Sequence, residues 1–134
     1  MSQQNNELNI STSLHYVILV DDEESVLLAL KLLLKAIGFE VSDFNNGQDA
    51  LDSVKNGNSC DLFICDLKMP GLNGIDTLRG LKKIASEIPF ILMSGHANSE
   101  DVQRARDLGA SGFLAKPFTP EDLKKVINEL EVTH

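Results

Sequence analysis

Positive charge is scarce in this sequence. Its 134 residues contain 12 lysines and arginines against 20 aspartates and glutamates, which gives a formal net charge of −8. A chain with this balance is repelled by the phosphate backbone of nucleic acids and by anionic membrane surfaces. We therefore expect no binding to nucleic acid and none to membranes.

Long apolar runs and a leader segment are also missing. No apolar run approaches the roughly 18 residues that a membrane-spanning helix needs, and the first ten residues are too polar for a signal peptide. These absences predict a cytoplasmic protein. Residues 1–14 are rich in Ser, Asn and Gln, so we expect a disordered polar tail there and one domain over residues 15–134.

Cysteine is rare, with only Cys60 and Cys65 in the chain. They lie at the two ends of one predicted strand with opposite parity, which predicts opposite faces and a separation of about 16 Å. That distance excludes a disulfide between them, and their spacing matches no zinc pattern. We predict that both act as small apolar side chains.

The sequence does contain five short strand patterns, each followed by a helical pattern. The predicted strands cover residues 16–20, 40–44, 61–66, 90–94 and 113–116, and the predicted helices cover 23–37, 47–55, 73–85, 98–108 and 120–130. Short alternation of this kind requires parallel strands with helices on both faces. The sequence therefore predicts a doubly wound α/β fold with one sheet.

Two helices carry features of their own. Leu28 and Leu32 fall outside the apolar arc of the first helix, and we expect them to pack against a neighbouring helix rather than to form a patch for a partner. The fourth helix has only Val102, Ala105 and Leu108 as apolar anchors. We expect it to be the least firmly held helix, and therefore the one most able to move.

Isolated polar residues follow the predicted strands. They are Asp21 and Asp22, Asp66, Ser94 and Lys116. A single Asp at such a place commonly caps a helix or forms a turn. In a doubly wound sheet, however, the carboxyl ends of the strands meet at one crevice, which is where ligands bind. The sequence therefore predicts that these residues converge.

Three carboxylates in one crevice need a positive partner. At 4 Å each pair repels by about 4 kcal/mol with an effective dielectric constant of 20. Oxygen ligands without His or thiolate favour Mg²⁺ over zinc. A carboxylate nucleophile at Asp66, a magnesium site and the ammonium of Lys116 together suit attack on a phosphoryl group, which would form an acyl phosphate on Asp66.

The sequence resembles the receiver domain of two-component response regulators. The match rests on Asp21-Asp22, Asp66 followed by Met69-Pro70-Gly71, Ser94, and Lys116-Pro117-Phe118, and it spans nearly everything from Tyr16 to Leu130. It implies a flavodoxin-like (βα)5 sandwich with the strand order 2-1-3-4-5. It also implies a phosphoprotein that catalyses only its own phosphorylation and dephosphorylation, and that is not otherwise an enzyme.

The resemblance assigns roles to individual residues. It implies that Asp66 accepts phosphate from a histidine kinase or a histidine phosphotransfer protein, and that Asp21, Asp22, Asp66 and the backbone carbonyl of Lys68 hold Mg²⁺. Lys116 would contact the phosphoryl group, and the Lys116-Pro117 bond would be cis. Ser94 and Phe113 would form the switch, although Phe113 lacks the hydroxyl of the tyrosine often found there. Lys68 and His96 occupy positions that tune phosphate lifetime.

The end of the chain bears on how the protein would signal, and two alternative functions share some of these residues. The chain ends shortly after the last helix, so we expect a stand-alone receiver that signals by binding another protein. The fourth helix, fifth strand and fifth helix form the family's usual docking face, which can also support a homodimer. One alternative is an aspartyl-nucleophile phosphatase of the haloacid dehalogenase type, but that chemistry needs an acid where Lys68 stands. Another is an interaction module without phosphorylation.

Overall fold

A computed structural model describes residues 14–95 and 98–133, of which residues 131–133 are described by their backbone only. The expected disordered tail therefore lies, apart from Leu14, outside the described residues, and so does His96. The elements in chain order are β1 Tyr16–Val20, α1 Glu24–Ile37, β2 Glu40–Phe44, α2 Gly47–Lys55, β3 Leu62–Asp66, α3 Gly74–Ile84, β4 Phe90–Ser94, α4 Ser99–Asp107, β5 Gly112–Ala115 and α5 Pro120–Thr133.

The five strands form one parallel sheet in the order β2-β1-β3-β4-β5. The register aligns Val20 with Cys65, and Asp66 with Met93. Ser94 in turn aligns with Ala115. The predicted doubly wound fold and its strand order are thus confirmed, and the carboxyl ends of the central strands meet at one edge.

The core consists of two apolar layers, one on each face of the sheet. Side chains of α1 and α5 pack on one face, with Leu34 and Ile127 among them. Side chains of α2, α3 and α4 pack on the other face, with Leu78 and Ala105 among them. The central strands are buried on both faces, and this is why their sequences are continuous apolar runs rather than alternating ones.

The helix ends follow from local sequence. Asn46, Asn73 and Asn98 cap α2, α3 and α4, and each side chain accepts a hydrogen bond from the backbone N–H three residues on. At α5 Thr119 and Asp122 form a reciprocal cap, because each accepts a hydrogen bond from the backbone N–H of the other. Helix α1 ends at Gly38, whose φ of 125° suits glycine.

Three local predictions have clear outcomes. The prediction that Leu28 and Leu32 pack against a neighbouring helix is wrong, because they are 57% and 58% exposed. The cysteines are free, as expected, but they do not lie on opposite faces. Cys60 precedes β3, so the parity argument does not apply to it, and it packs against the same apolar layer as Cys65.

Within the described residues, no helix is both long enough and apolar enough to cross a membrane.

Candidate functional site

Strand ends bring the acidic residues together. Asp21 directly follows β1 and is fully buried, whereas Asp22 beside it is exposed. Asp66 is the last residue of the neighbouring strand β3 and is 8% exposed. One carboxylate oxygen from each of these three residues lies within 4.8 Å of one from each of the other two. The convergence of the three acids that the sequence predicted is confirmed.

Lys116 joins this cluster from the loop after β5. Its Nζ lies 2.8 Å from Oδ2 of Asp21 and 2.9 Å from Oδ1 of Asp66. The other oxygen of Asp21 accepts a hydrogen bond from the backbone N–H of Glu23 at 3.0 Å. Asp21 therefore fixes the ammonium and the chain leading into α1, while Lys116 bridges the ends of β1 and β3.

Burial and pairing set the protonation of the pair. Burial raises the pKa of Asp66, and the hydrogen bond and charge of Lys116 oppose that shift without cancelling it. Burial also acts to lower the pKa of Lys116, but hydrogen bonds to Asp21 and Asp66 outweigh it, so the pKa is raised. Lys116 therefore stays protonated, and it lies beside a carboxylate whose ionised form is destabilised by burial in this crevice.

The charges at the site suit a divalent cation. Three carboxylates meet one ammonium, so two negative charges remain uncompensated when all three acids are ionised. All three offered ligands are carboxylate oxygens, and one of them, on Asp22, is exposed to solvent. Hard oxygen ligands that leave room for water match the coordination of Mg²⁺. The residues present therefore fit the expected ion.

Backbone contacts hold the loop after β3 in place. The N–H of Leu67 donates to the carbonyl of Met93 at 2.8 Å, and the N–H of Gly74 donates to the carbonyl of Leu67 at 2.8 Å. A β-carbon on Gly74 would lie 2.5 Å from the backbone oxygen of Asp66. Helix α3 can therefore approach the acidic residue this closely only because position 74 lacks a side chain. Sequence reasoning missed this role of Gly74.

Ser94 ends β4, between the strand that ends in Asp66 and the strand that leads to Lys116. The backbone N–H of Lys116 donates to the carbonyl of Ser94 at 2.9 Å, so the two residues are held side by side. The predicted cis bond between Lys116 and Pro117 is also confirmed.

Two of the remaining residues singled out in the sequence, Phe113 and Lys68, are described by the structure. Phe113 is half-buried in β5, and its ring faces α4, where the guanidinium carbon of Arg106 lies 5.0 Å from the ring centroid. The side chain of Lys68 is exposed and lines a groove between the loop after β3 and α4. His96 lies outside the described residues. Sequence reasoning also missed Arg106, because its partner Phe113 is brought near it only by tertiary packing.

Comparison with known proteins adds independent findings. The model of the family described as "Response regulator receiver domain" matches residues 17–128. The response regulator protein TodT of Pseudomonas putida is 36% identical over 107 residues, which are 80% of this chain and 47% of that protein. The chain thus spans about half the length of the curated relatives it matches.

Solved structures agree with the sequence comparison. A response regulator receiver domain protein from Clostridium thermocellum superposes with a TM-score of 0.82 at 36% identity, covering 90% of this chain and 96% of that chain. The chemotaxis protein CheY4 of Vibrio cholerae has a TM-score of 0.81 at 27% identity, covering 88% and 99%.

Proposed function

Because the chain belongs to the response regulator receiver domain family, we propose that it is a signalling switch that is phosphorylated on Asp66. The observation that carries this proposal is the geometry of Asp66: a nearly buried carboxylate, 2.9 Å from a lysine and within 4.8 Å of two further acids. No purely structural need explains three carboxylates in one crevice, because their mutual repulsion destabilises the folded state.

The proposed reaction is transfer of a phosphoryl group from a phosphohistidine. An oxygen of Asp66 attacks phosphorus, the new P–O bond forms as the P–N bond breaks, and the bonding electrons leave with the imidazole, which takes up a proton. Lys116 has three N–H donors, of which Asp21 and Asp66 accept two. Its hydrogen bond to Asp66 can pass to a phosphoryl oxygen while Asp21 keeps the ammonium in place.

We assign a Mg²⁺ site to Asp21, Asp22, Asp66 and the backbone carbonyl of Lys68. When bound, the ion would neutralise charge that develops on the phosphoryl oxygens. The chain's own part is to present the carboxylates from fixed strand ends. The exposure of Asp22 leaves one side of the site open for the donor.

The readout would run through Ser94 and Phe113. The hydroxyl of Ser94 would bind a phosphoryl oxygen, and the accompanying shift of β4 would bias the position of α4 and Phe113. Shifting such an equilibrium from 1:99 to 99:1 takes about 5.5 kcal/mol of differential binding, so several contacts must contribute. Lys68 and His96 would tune the lifetime of the acyl phosphate.

The partners follow from this chemistry. The phosphoryl donor would be a histidine kinase or a histidine phosphotransfer protein, as the homology to response regulators suggests. The output would be binding of a downstream protein in the cytoplasm, or of a second copy through the face of α4, β5 and α5. The net charge of −8 supports proteins rather than nucleic acid or membranes as partners of this segment.

A phosphatase of the haloacid dehalogenase type is disfavoured. Such an enzyme needs a second acid two residues after the nucleophile to protonate the leaving group, and that position is Lys68 here. A module that only binds partners would have no use for the acid cluster, and none of its predicted polar residues is substituted.

The test is uptake of a phosphoryl group from a small acyl phosphate with Mg²⁺, read by intact mass. Wild type is expected to gain one phosphoryl group, Asp66→Asn to gain none, and chelation of the ion to prevent uptake. Asp61→Asn is the matched control, because Asp61 directly precedes the opposite end of the same strand, where its side chain accepts from the N–H groups of His15 and Tyr16. Equal uptake by Asp66→Asn and wild type would refute the assignment.

A further inference from the structure

Helix α4 has little apolar anchorage. Among its residues, Ser99–Asp107, Ala105 is the one that is fully buried, and Val102 is half-buried. The Asn98 cap fixes where the helix begins, but it does not attach the helix to the sheet. An alanine buries too little surface to hold a helix of nine residues firmly. Leu108, directly after the helix, adds a half-buried side chain to the same apolar layer. A further contact made by the helix itself would strengthen this weak attachment.

Arg106 supplies such a contact. Its guanidinium carbon lies 5.0 Å from the centroid of the Phe113 ring, within the range of a cation–π interaction. None of the ion pairs of the described residues includes Arg106. Among those residues, the Phe113 ring is therefore the group that interacts with the charge of Arg106. The contact joins the last turn of α4 to β5.

Phe113 is placed to connect this contact to the acidic site. In the sheet it aligns with Leu92 of β4, two residues before Ser94. Along the chain it lies three residues before Lys116, which follows the end of β5. A shift of the ends of β4 and β5 would therefore move the ring against the guanidinium that covers it.

We propose that Arg106 is a latch that holds α4 on the ring of Phe113 while Asp66 is unphosphorylated. Release of α4 then requires this contact to break, so Arg106 sets how often α4 leaves the sheet before any signal arrives. The link to signalling rests on the function proposed above, whereas the latch itself is a property of the unphosphorylated protein and is measurable there.

The planar guanidinium suits this role better than an ammonium would. The planar guanidinium of arginine can stack on an aromatic ring and also make a cation–π interaction with it. The ammonium of lysine is a compact, strongly hydrated charge that cannot stack. Arg106→Met keeps the length and the apolar stem but loses the charge. Arg106→Lys keeps the charge and loses the plane, so it is expected to hold α4 with intermediate strength.

The experiment is amide hydrogen exchange of the unphosphorylated chain without metal. Arg106→Met is expected to speed exchange in α4 by about twofold to fivefold, which is what loss of an exposed cation–π contact allows, and to leave α3 unchanged. Arg104→Met is the matched control, since Arg104 lies on the same helix and has no ring contact within the described residues. Exchange in α4 that matches wild type in Arg106→Met, or that rises equally in both variants, overturns the latch.

A double-mutant cycle identifies the partner. Phe113→Leu keeps apolar bulk and removes the ring, so adding Arg106→Met to it should produce no further acceleration. An equal acceleration in both backgrounds would assign the effect to something other than the ring and reject the proposal. Urea unfolding of each variant separates local release of α4 from a loss of global stability.

The same measurements in Asp66→Asn separate the two proposals. The effect of Arg106→Met on α4 should persist there, because the latch does not depend on phosphate. If Asp66→Asn still takes up phosphate, the proposed acceptor fails while the latch stands. If uptake depends on Asp66 but exchange in α4 does not respond to Arg106, the latch fails while the acceptor stands.

Discussion

Helices α3 and α4 pack on the same face of the sheet, yet they are attached to it in different ways. Five residues of α3 are buried, namely Gly74, Ile75, Thr77, Leu78 and Leu81, against Ala105 alone in α4. Helix α3 follows the strand that ends in Asp66, and α4 follows the strand that ends in Ser94. The protein thus packs the helix after Asp66 firmly and leaves the neighbouring helix lightly held, as the proposed switch requires.

The largest expected effect comes from removing a buried side chain from each helix. Leu78→Ala in α3 should lower the free energy of unfolding by about 2 to 5 kcal/mol, because Leu78 is fully buried. Val102→Ala in α4 should cost about 1 kcal/mol or less, since Val102 is only half-buried. Urea denaturation measures both. Equal costs would remove the contrast between the helices.

Close packing of α3 against the loop after Asp66 gives the second prediction. Gly74→Ala should cost about 1 to 3 kcal/mol, because its methyl group would meet the backbone of Asp66 and Leu67, which has little freedom to shift. It should also slow phosphate uptake by displacing Asp66.

Gly80→Ala on the same helix is the control for this variant. Its methyl group would meet the end of the Leu51 side chain, which can rotate, and alanine favours the helix by about 1 kcal/mol. A stability loss as large as that of Gly74→Ala would show that crowding at the backbone is not what matters.

Hydrogen exchange should sharpen the same comparison in the wild-type chain. We expect amides within α4 to exchange at least about tenfold faster than those within α3, because fewer buried contacts must break to expose them. Nuclear magnetic resonance or mass spectrometry resolves the two segments. Similar rates in both helices would contradict the view that α4 is the more mobile element.

The smallest effect concerns the charge on Asp66. Its folded pKa is raised above the ordinary value of 3.8, chiefly by burial, so the folded state binds a proton more readily than the unfolded state does. In metal-free buffer at neutral pH, Asp66→Asn should therefore be slightly more stable than wild type. That gain should shrink as the pH falls through the raised pKa towards 3.8.

Urea unfolding at several pH values measures this difference. Glu100→Gln, at an exposed acid in the first turn of α4, is the control and should show no comparable gain. A gain for Asp66→Asn that stays constant as the pH falls would mean that burial of the charge is not its cause.

Much of this architecture follows from short-range features of the sequence. The central strands of the sheet are continuous apolar runs. Each helix from α2 to α5 is preceded by a residue whose side chain caps it, namely Asn46, Asn73, Asn98 or Thr119. These signals act over a few residues, so they are readable without a structure. The convergence of Asp21, Asp66 and Lys116 was predictable as well, because strand ends in a parallel sheet must meet at one edge.

Other features needed the packed molecule. Leu28 and Leu32 proved to be exposed because no element covers that side of α1 in the described residues, which helix periodicity cannot reveal. The parity argument for the cysteines failed because β3 begins at Leu62, after Cys60.

The sequence by itself determined the order of elements, the parallel sheet and the set of polar residues at its carboxyl edge, because periodicity, caps and strand ends are short-range properties. Tertiary structure alone decided that Lys116 would pair with both Asp21 and Asp66, that Gly74 would lie against the backbone of Asp66, and that Arg106 would cover Phe113. Such contacts depend on distances and angles between elements, which are set only when the two apolar layers close on the sheet.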